Sequence, residues 1–248
     1  MGIKDIFKKK ESQPTCSAVI VAAGSGQRMG ADKLMLELGC MPVLARTLLA
    51  FENCAVIDEI IVVTRIEMVE EIAALCKKYG ISKAAKVIRG GKTRMESALA
   101  GVSEVKSGAK LIAIHDGARP FVTDELIRAT VAAAGKYMSA VPVTFCTDTL
   151  KAVDENGLVV APVDRDRTAR VQTPQVFDAD LIKGALSKAV NDRLPLTDDC
   201  SAIELMGVKT HTVPGDEDNI KLTTPRDMRV ASLILQDRGD YLEDRSRV

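Results

Sequence analysis

Continuous apolar runs alternate with amphipathic segments along this chain of 248 residues, and that alternation admits few folds. SAVIVAA (17–23), EIIVVT (59–64), KVI (86–88), KLIAIHD (110–116) and SAVPVT (139–144) are the apolar runs. A strand covered on one face alternates apolar and polar residues; a strand covered on both faces is apolar throughout, as in a parallel sheet between helical layers. The segments between carry helix signals. Val69, Ile72, Ala73 and Cys76 recur at i, i+3, i+4 and i+7 and predict one buried face. Thr93 with Glu96 forms a capping box, and Thr123 before Asp124 and Glu125 is a helix start. Thr224 followed by Pro225 opens the last helix, and a further helix is predicted near 178–190. This order predicts an α/β fold, a doubly wound and mostly parallel sheet. Such sheets bind ligands beyond the carboxyl ends of their strands.

One segment breaks the alternation. TDTLKAVDENGLVVAPVDR (147–165) reads as strand, Asp-Glu-Asn-Gly turn, strand. A lone two-stranded hairpin is marginal in water, so it must pack on its own domain or on another subunit. Residues 1–15 read as a flexible basic leader, 16–236 as a single domain with an arm at about 146–168, and 237–248 as a polar tail.

Composition narrows the function classes. The 34 basic and 34 acidic side chains cancel, which gives no reason to expect a nucleic-acid partner. Two histidines cannot make a three-His zinc site, and no CxxC pair occurs. No apolar run approaches the ~20 residues of a membrane span. A hydrophobic fraction of 46% argues against disorder, and six cysteines, most in apolar stretches, predict reduced thiols in a cytoplasmic protein.

SAVIVAAGSGQRMGADK (17–33) carries the chemistry. A buried strand runs into Gly24 and Gly26, with Arg28 and Lys33 just beyond. Loop glycines let backbone N–H groups approach phosphate oxygens, and two fixed cations can neutralise a triphosphate. The spacing does not fit a P-loop, and Met29 stands where the dinucleotide fingerprint needs glycine.

AAGSGQRMGADK resembles the signature of nucleotidyltransferases that couple a nucleoside triphosphate to a sugar, polyol or cofactor phosphate. Four later groups are more discriminating: GGKTRMES (90–97), HDGARPF (115–121), VDR (163–165) with TPQVF (173–177), and LTDDCSAIE (196–204) with DNIKLTTPRDM (218–228). In this order they resemble the 2-C-methyl-D-erythritol 4-phosphate cytidylyltransferase family of the non-mevalonate isoprenoid pathway. A ribitol 5-phosphate cytidylyltransferase would share the loop, the TPQ motif and the arm; HDGARP with LTDDCSAIE favours the first reading. A regulator that kept the fold and lost catalysis would be expected to lack Arg28, Lys33 or Arg165, and all are present.

The resemblance implies a Rossmann-like nucleotidyltransferase whose hairpin is a dimerisation arm, with Mg²⁺ or another divalent cation as cofactor. It implies that the 4-phosphate of methylerythritol phosphate attacks the α-phosphorus of CTP, with no covalent enzyme intermediate. Arg28 and Lys33 match the transition-state stabilisers, and Arg165 and Lys221 match residues that orient the attacking phosphate. Ala22, Ala23, Gly24, Gly26, Gly91, Lys92, Ser97, Asp116 and Gly117 match the nucleotide side. Asp116, Arg119, Thr149, Arg165, Thr173, Thr197 and Lys221 match the polyol-phosphate side, with Asp116 the one implied metal contact. His115 reads as a structural histidine. The resemblance also places Arg165 in the neighbouring subunit's site, so the active site would be shared across a homodimer. Val21, Lys92 and Gly117 depart from the commoner proline, aspartate and alanine of the family.

Overall fold

A computed structural model describes residues 15–24 and 33–239. In chain order the elements are β1 (Cys16–Val21), β2 (Glu37–Leu38), β3 (Met41–Pro42), α1 (Val43–Glu52), β4 (Ile57–Thr64), α2 (Val69–Lys78), β5 (Ala84–Arg89), α3 (Arg94–Ser103) and β6 (Leu111–Asp116). Then follow α4 (Asp124–Tyr137), β7 (Ser139–Phe145), β8 (Leu150–Val153), β9 (Val159–Val163), β10 (Ala169–Val171), β11 (Gln175–Asp178), α5 (Ala179–Asn191), α6 (Asp199–Leu205), β12 (His211–Pro214) and α7 (Pro225–Asp237).

The main sheet has eight strands in the order β10-β7-β11-β6-β1-β4-β5, with β12 on β7. β1 lies parallel between β4 and β6, and β5 extends the sheet beyond β4. The chain therefore builds outward from β1 on one side and then crosses to β6 on the other. The crevice at the carboxyl ends of β1 and β6 is the topological switch point, where such sheets hold their ligands.

Four of the five apolar runs are buried on both faces as predicted; the fifth, KVI, lies in the edge strand β5, where no residue is fully buried. Ala18 and Ile20 of β1 face one core with α1, α2, α4 and α7, while Val19 faces a second core with α3, α5 and α6. This is the period-two alternation of a strand between two helical layers. The predicted caps are present: Thr93 and Thr224 close capping boxes, and the Thr123 hydroxyl accepts the Leu126 N–H.

Three expectations change. The buried stripe of α2 is Ile72, Leu75 and Cys76, and Ala73 is exposed. A methyl group gains little from burial, so leucine takes the core position. The strand expected at 86–88 runs over six residues, Ala84–Arg89. TPQVF is not only a motif: its last residues form β11, antiparallel to both β6 and β7. β10 and β11 together follow β7, but the five-residue step from Val171 to Val176 spans only the three-residue step from Val143 to Ala140. Two residues are thus extra, at Thr173-Pro174, and they bulge from the ladder beside the end of β6.

The hairpin is present at β8 and β9, which pair only with each other. Its turn is Asp154–Gly157, with Gly157 at φ 81 and the Asp154 carboxylate accepting the Asn156 and Leu158 N–H groups. From 147 to 167 no residue is buried, and Val159 and Val160 are 62% and 60% exposed. Among the described residues, no helix is long and apolar enough to cross a membrane. None of the six cysteines, all within the described residues, is in a disulfide, and burial pushes the Cys54 and Cys76 thiols up to about 11.

Candidate active site

The sheet ends are tied together before any side chain enters the site. The Ala22 N–H donates to the Val63 carbonyl at 2.7 Å, and the Gly117 N–H to the Val21 carbonyl at 2.9 Å. Three loops therefore leave the sheet at fixed positions: after β1, after β5 and after β6. They surround a cavity of about 400 Å³ lined in part by Ala22, Ala23, Gly24, Lys33, Gly91 and Lys92. Ser97, Asp116, Lys221 and Arg94 complete its polar wall.

The loop after β5 is shaped by two glycines. A Cβ on Gly90 would come within 2.6 Å of Ser97 Oγ, and one on Gly91 would collide with the Glu96 Cβ. Glu96 accepts the Lys92 and Thr93 N–H groups at 2.5 and 3.2 Å. Ser97, expected on the base side of the pocket, has its hydroxyl engaged locally: it accepts the Gly91 N–H and donates to the Thr93 carbonyl. Its visible work is to hold the turn.

Asp116 is the centre of charge. Lys221 Nζ lies 2.8 Å and Arg119 Nε 3.7 Å from its Oδ2, and Arg94 Nε lies 3.4 Å from its Oδ1. Burial alone would raise the carboxyl, but the Arg94 and Lys221 cations outweigh it and hold it well below the usual carboxylate range. Arg94 also forks onto Asp199, with Nη1 and Nη2 at 2.9 and 2.8 Å from the two oxygens. Burial pushes the Asp199 carboxyl up against the pull of that guanidinium.

The segment 219–222 straps the site. The Leu222 N–H donates to the Ala118 carbonyl, Arg119 Nη1 to the Asn219 carbonyl at 2.6 Å, and Lys33 Nζ to the Leu222 carbonyl at 2.9 Å. Thr173, expected to meet the acceptor, lies behind Asp116. Its buried hydroxyl accepts the Asp116 N–H at 3.2 Å and donates to His115 Nδ1 at 3.0 Å. His115 Nε2 then donates to the Arg119 carbonyl at 3.2 Å. The two-residue bulge explains this placement, because it turns Thr173 out of the ladder toward β6.

Both nitrogens of His115 are thus spent and its ring is fully buried, as expected of a structural histidine. Burial pushes its pKa down to about 3. The unfolded chain takes up a proton below about pH 6.5 while the folded one does not, so stability is lost as pH falls from about 6.5 toward 3. Wild type is expected to lose thermal midpoint between pH 6.5 and 4.5 more steeply than His115→Gln. Parallel melting curves over that window would defeat the assignment.

Not every expected residue joins the cavity. Gly117 sits beside it, with its N–H engaged by Val21. Arg119 reaches it through Asp116. Thr197 is exposed at the approach to α6, near Ser201. Thr149 and Arg165 are exposed on the hairpin segment, where Arg165 Nη1 donates to the Thr147 carbonyl at 3.2 Å. Gly26 and Arg28 lie outside the described residues, as do all of residues 25–32. Arg94, Asp199 and Asn219 were not among the expected residues, though all three lie inside the quoted motifs. Arg94 had one legible signal: a basic residue in the first turn of a helix opposes the helix dipole and needs a partner.

Fold and site together define an α/β nucleotidyltransferase: a glycine-bearing loop after the first strand faces lysines and a strand-end aspartate across the switch point. The family model for IspD, 2-C-methyl-D-erythritol 4-phosphate cytidylyltransferase, matches residues 16–237, and the chain belongs to that family. The 2-C-methyl-D-erythritol 4-phosphate cytidylyltransferase of Halalkalibacterium halodurans is 42% identical over 90% of this chain and 97% of its own length. That of Caldanaerobacter subterraneus subsp. tengcongensis is 41% identical over 89% and 98%. The crystal structure of 4-diphosphocytidyl-2C-methyl-D-erythritol synthase from Anaerococcus prevotii superposes with a TM-score of 0.81 at 33% identity, covering 90% of this chain and 97% of that one.

Proposed function

We propose that the protein transfers CMP from CTP to 2-C-methyl-D-erythritol 4-phosphate, giving 4-diphosphocytidyl-2-C-methyl-D-erythritol and pyrophosphate. The observation that carries this is the cationic cavity at the switch point in a chain of this family. A phosphate oxygen of the acceptor attacks the α-phosphorus of CTP; the new P–O bond forms as the bond to the β-phosphate oxygen breaks, and pyrophosphate carries the electron pair away. Such a reaction asks for alignment and charge stabilisation rather than a nucleophilic side chain.

The residues divide by position. Ala22, Ala23 and Gly24 lie where backbone can meet the triphosphate, with Lys33 at its end and Arg28 assigned to the same task by its motif. Gly91 and Lys92 form the wall assigned to base and ribose. Lys221, across the cavity, is assigned to the acceptor phosphate. Ribitol 5-phosphate is the rival acceptor, and the family relationships do not favour it.

Among the described residues, no three His, Cys, Asp or Glu side chains could hold a metal ion. Asp116 is one carboxylate already facing three cations. A magnesium ion brought by the triphosphate would find in Asp116 the carboxylate of the cavity wall able to hold it, with its other ligands from phosphate and water. When bound, the ion neutralises charge on the leaving pyrophosphate.

The hairpin supports a homodimer. Val153, Leu158, Val159 and Val160 are exposed on it, and burying such a side chain fully is worth about 1.5–3 kcal/mol. A second copy covering this arm would bring Arg165 and Thr149 toward a site they do not reach alone. The burial of Cys16, Cys54, Cys76 and Cys200 is in keeping with reduced thiols in a cytoplasmic location.

An acceptor screen tests the reading. Pyrophosphate release from CTP is expected with methylerythritol phosphate, to be lost with chelator and restored by added Mg²⁺. Turnover with ribitol 5-phosphate alone would transfer the protein to the rival branch.

A further inference from the structure

Arg94 stands at the cavity wall, yet the proposed reaction gives it no task. It is the first residue of α3, Asp116 ends β6, and Asp199 opens α6. These elements are distant in sequence, and the guanidinium joins all three. Nη1 and Nη2 meet Asp199, while Nε points to Oδ1 of Asp116 at 3.4 Å. Asp199 is itself anchored. Its N–H and that of Cys200 donate to Gln175 Oε1 at 3.2 Å, and Gln175 Nε2 donates to Asp198 at 3.0 Å. Gln175 is the first residue of β11, paired with β6 opposite Ile114. A closed loop of contacts therefore runs from the sheet through α6 and Arg94 back to Asp116.

The two oxygens of Asp116 are served unequally. Oδ2 faces Lys221 at 2.8 Å and Arg119 at 3.7 Å; Oδ1 faces Arg94. Lys221 is the most exposed of the three partners, its side chain 38% accessible on the strap, and it is assigned to the acceptor phosphate. When it turns to that phosphate, Oδ2 loses its close contact. Arg119 is too far for a hydrogen bond from Nε and already donates to Asn219. Arg94 stays, because Asp199 holds it from behind.

We propose that Arg94, locked by Asp199, is a positioning residue that keeps the Asp116 carboxylate in place while Lys221 engages the acceptor phosphate. This rests on the proposed reaction. The task requires arginine: two donors in a rigid fork grip Asp199, and a third on the same plane reaches Asp116. Lysine carries three donors on one nitrogen but no planar fork, so it cannot grip both Asp199 oxygens in the plane that also reaches Asp116.

A double-mutant cycle separates this role from a merely structural one. CTP and methylerythritol phosphate kinetics with Mg²⁺ are measured for Arg94→Gln, Asp116→Asn and the double variant, with the thermal midpoint of each. Arg94→Gln is expected to lower kcat at least about tenfold, with the KM for CTP much less affected. In the Asp116→Asn background the same change is expected to cost no more than about twofold, since the group it positions is already altered. Asp199→Asn should follow the same pattern at smaller amplitude. Multiplicative losses, or a loss in KM for CTP alone, would overturn the proposal. If Arg94→Gln does not fold, the cycle is run with Arg94→Lys, which retains the charge. Should wild type make no pyrophosphate with this acceptor, the reaction itself is wrong. The positioning role, which rests on that reaction, falls with it, whereas additive effects in an active enzyme overturn the role alone.

Discussion

Lys221→Ala is expected to lower kcat for CMP transfer by about 10²-fold, with the fold intact, because misplacing an attacking group by about 1 Å costs that much. The side chain is half-exposed, and its ammonium meets Asp116 at 2.8 Å. The strap that carries it is held by contacts of other residues: the Leu222 N–H on the Ala118 carbonyl and the buried amide of Asn219 on the Thr173 carbonyl. Removing the ammonium therefore removes charge without removing the strap. The thermal midpoint should change little, and CTP binding by calorimetry should be nearly unaltered, since the task is to align the acceptor. Lys221→Arg should recover part of the rate. A loss of kcat below about threefold would remove Lys221 from the acceptor site.

Activity from two inactive variants is the second large effect. With the site shared across the proposed dimer, Arg165→Ala and Lys33→Ala proteins should each be nearly inactive. Mixed after subunit exchange, they should recover about a quarter of wild-type turnover per site: half the dimers are mixed, and one of the two sites in each is intact. The geometry motivates this. Lys33 lies on the cavity, whereas Arg165 is exposed on the hairpin segment and bonded to the Thr147 carbonyl of its own chain. No recovery, with exchange verified by mass, would place Arg165 outside a shared site.

The parts of the fold legible in the sequence were those with one dominant local cause. β1, β4 and β6 are buried on both faces and read as unbroken apolar runs. Thr93, Thr123 and Thr224 satisfy backbone N–H groups three residues on, so their helices announce their starts. β10, β11 and β12 run only three or four residues and owe their form to neighbours far along the chain. Gln175 reads as nothing in isolation; its meaning is its pairing with Ile114 and its grip on α6.

The site was legible wherever a motif names residues on the cavity surface, as with Ala22–Gly24, Lys33, Asp116 and Lys221. It was least legible beneath that surface. The motif names Thr173 for the acceptor side, and what the sequence does not show is that its hydroxyl is held by Asp116 and His115. Asp199 carries no signal in the sequence and Arg94 only its place in the first turn of a helix, because a residue that orients another leaves little chemical pattern of its own. Only three-dimensional contact connects residues 94, 116 and 199.

The insertion of β11 between β6 and β7 bears on how the chain is synthesised. The helix α4 carries the chain from β6 to β7 across the width of one missing strand, and the segment that fills the slot begins at Gln175. A nascent chain that has emerged only through β7 thus has two facing open edges, with apolar residues such as Ile112 and Ile114 on one of them. Nothing earlier in the described sequence closes that gap. The second core cannot seal until the ribosome has released the chain through β11 and α5, and until then the unfilled slot is a place for another nascent chain to pair.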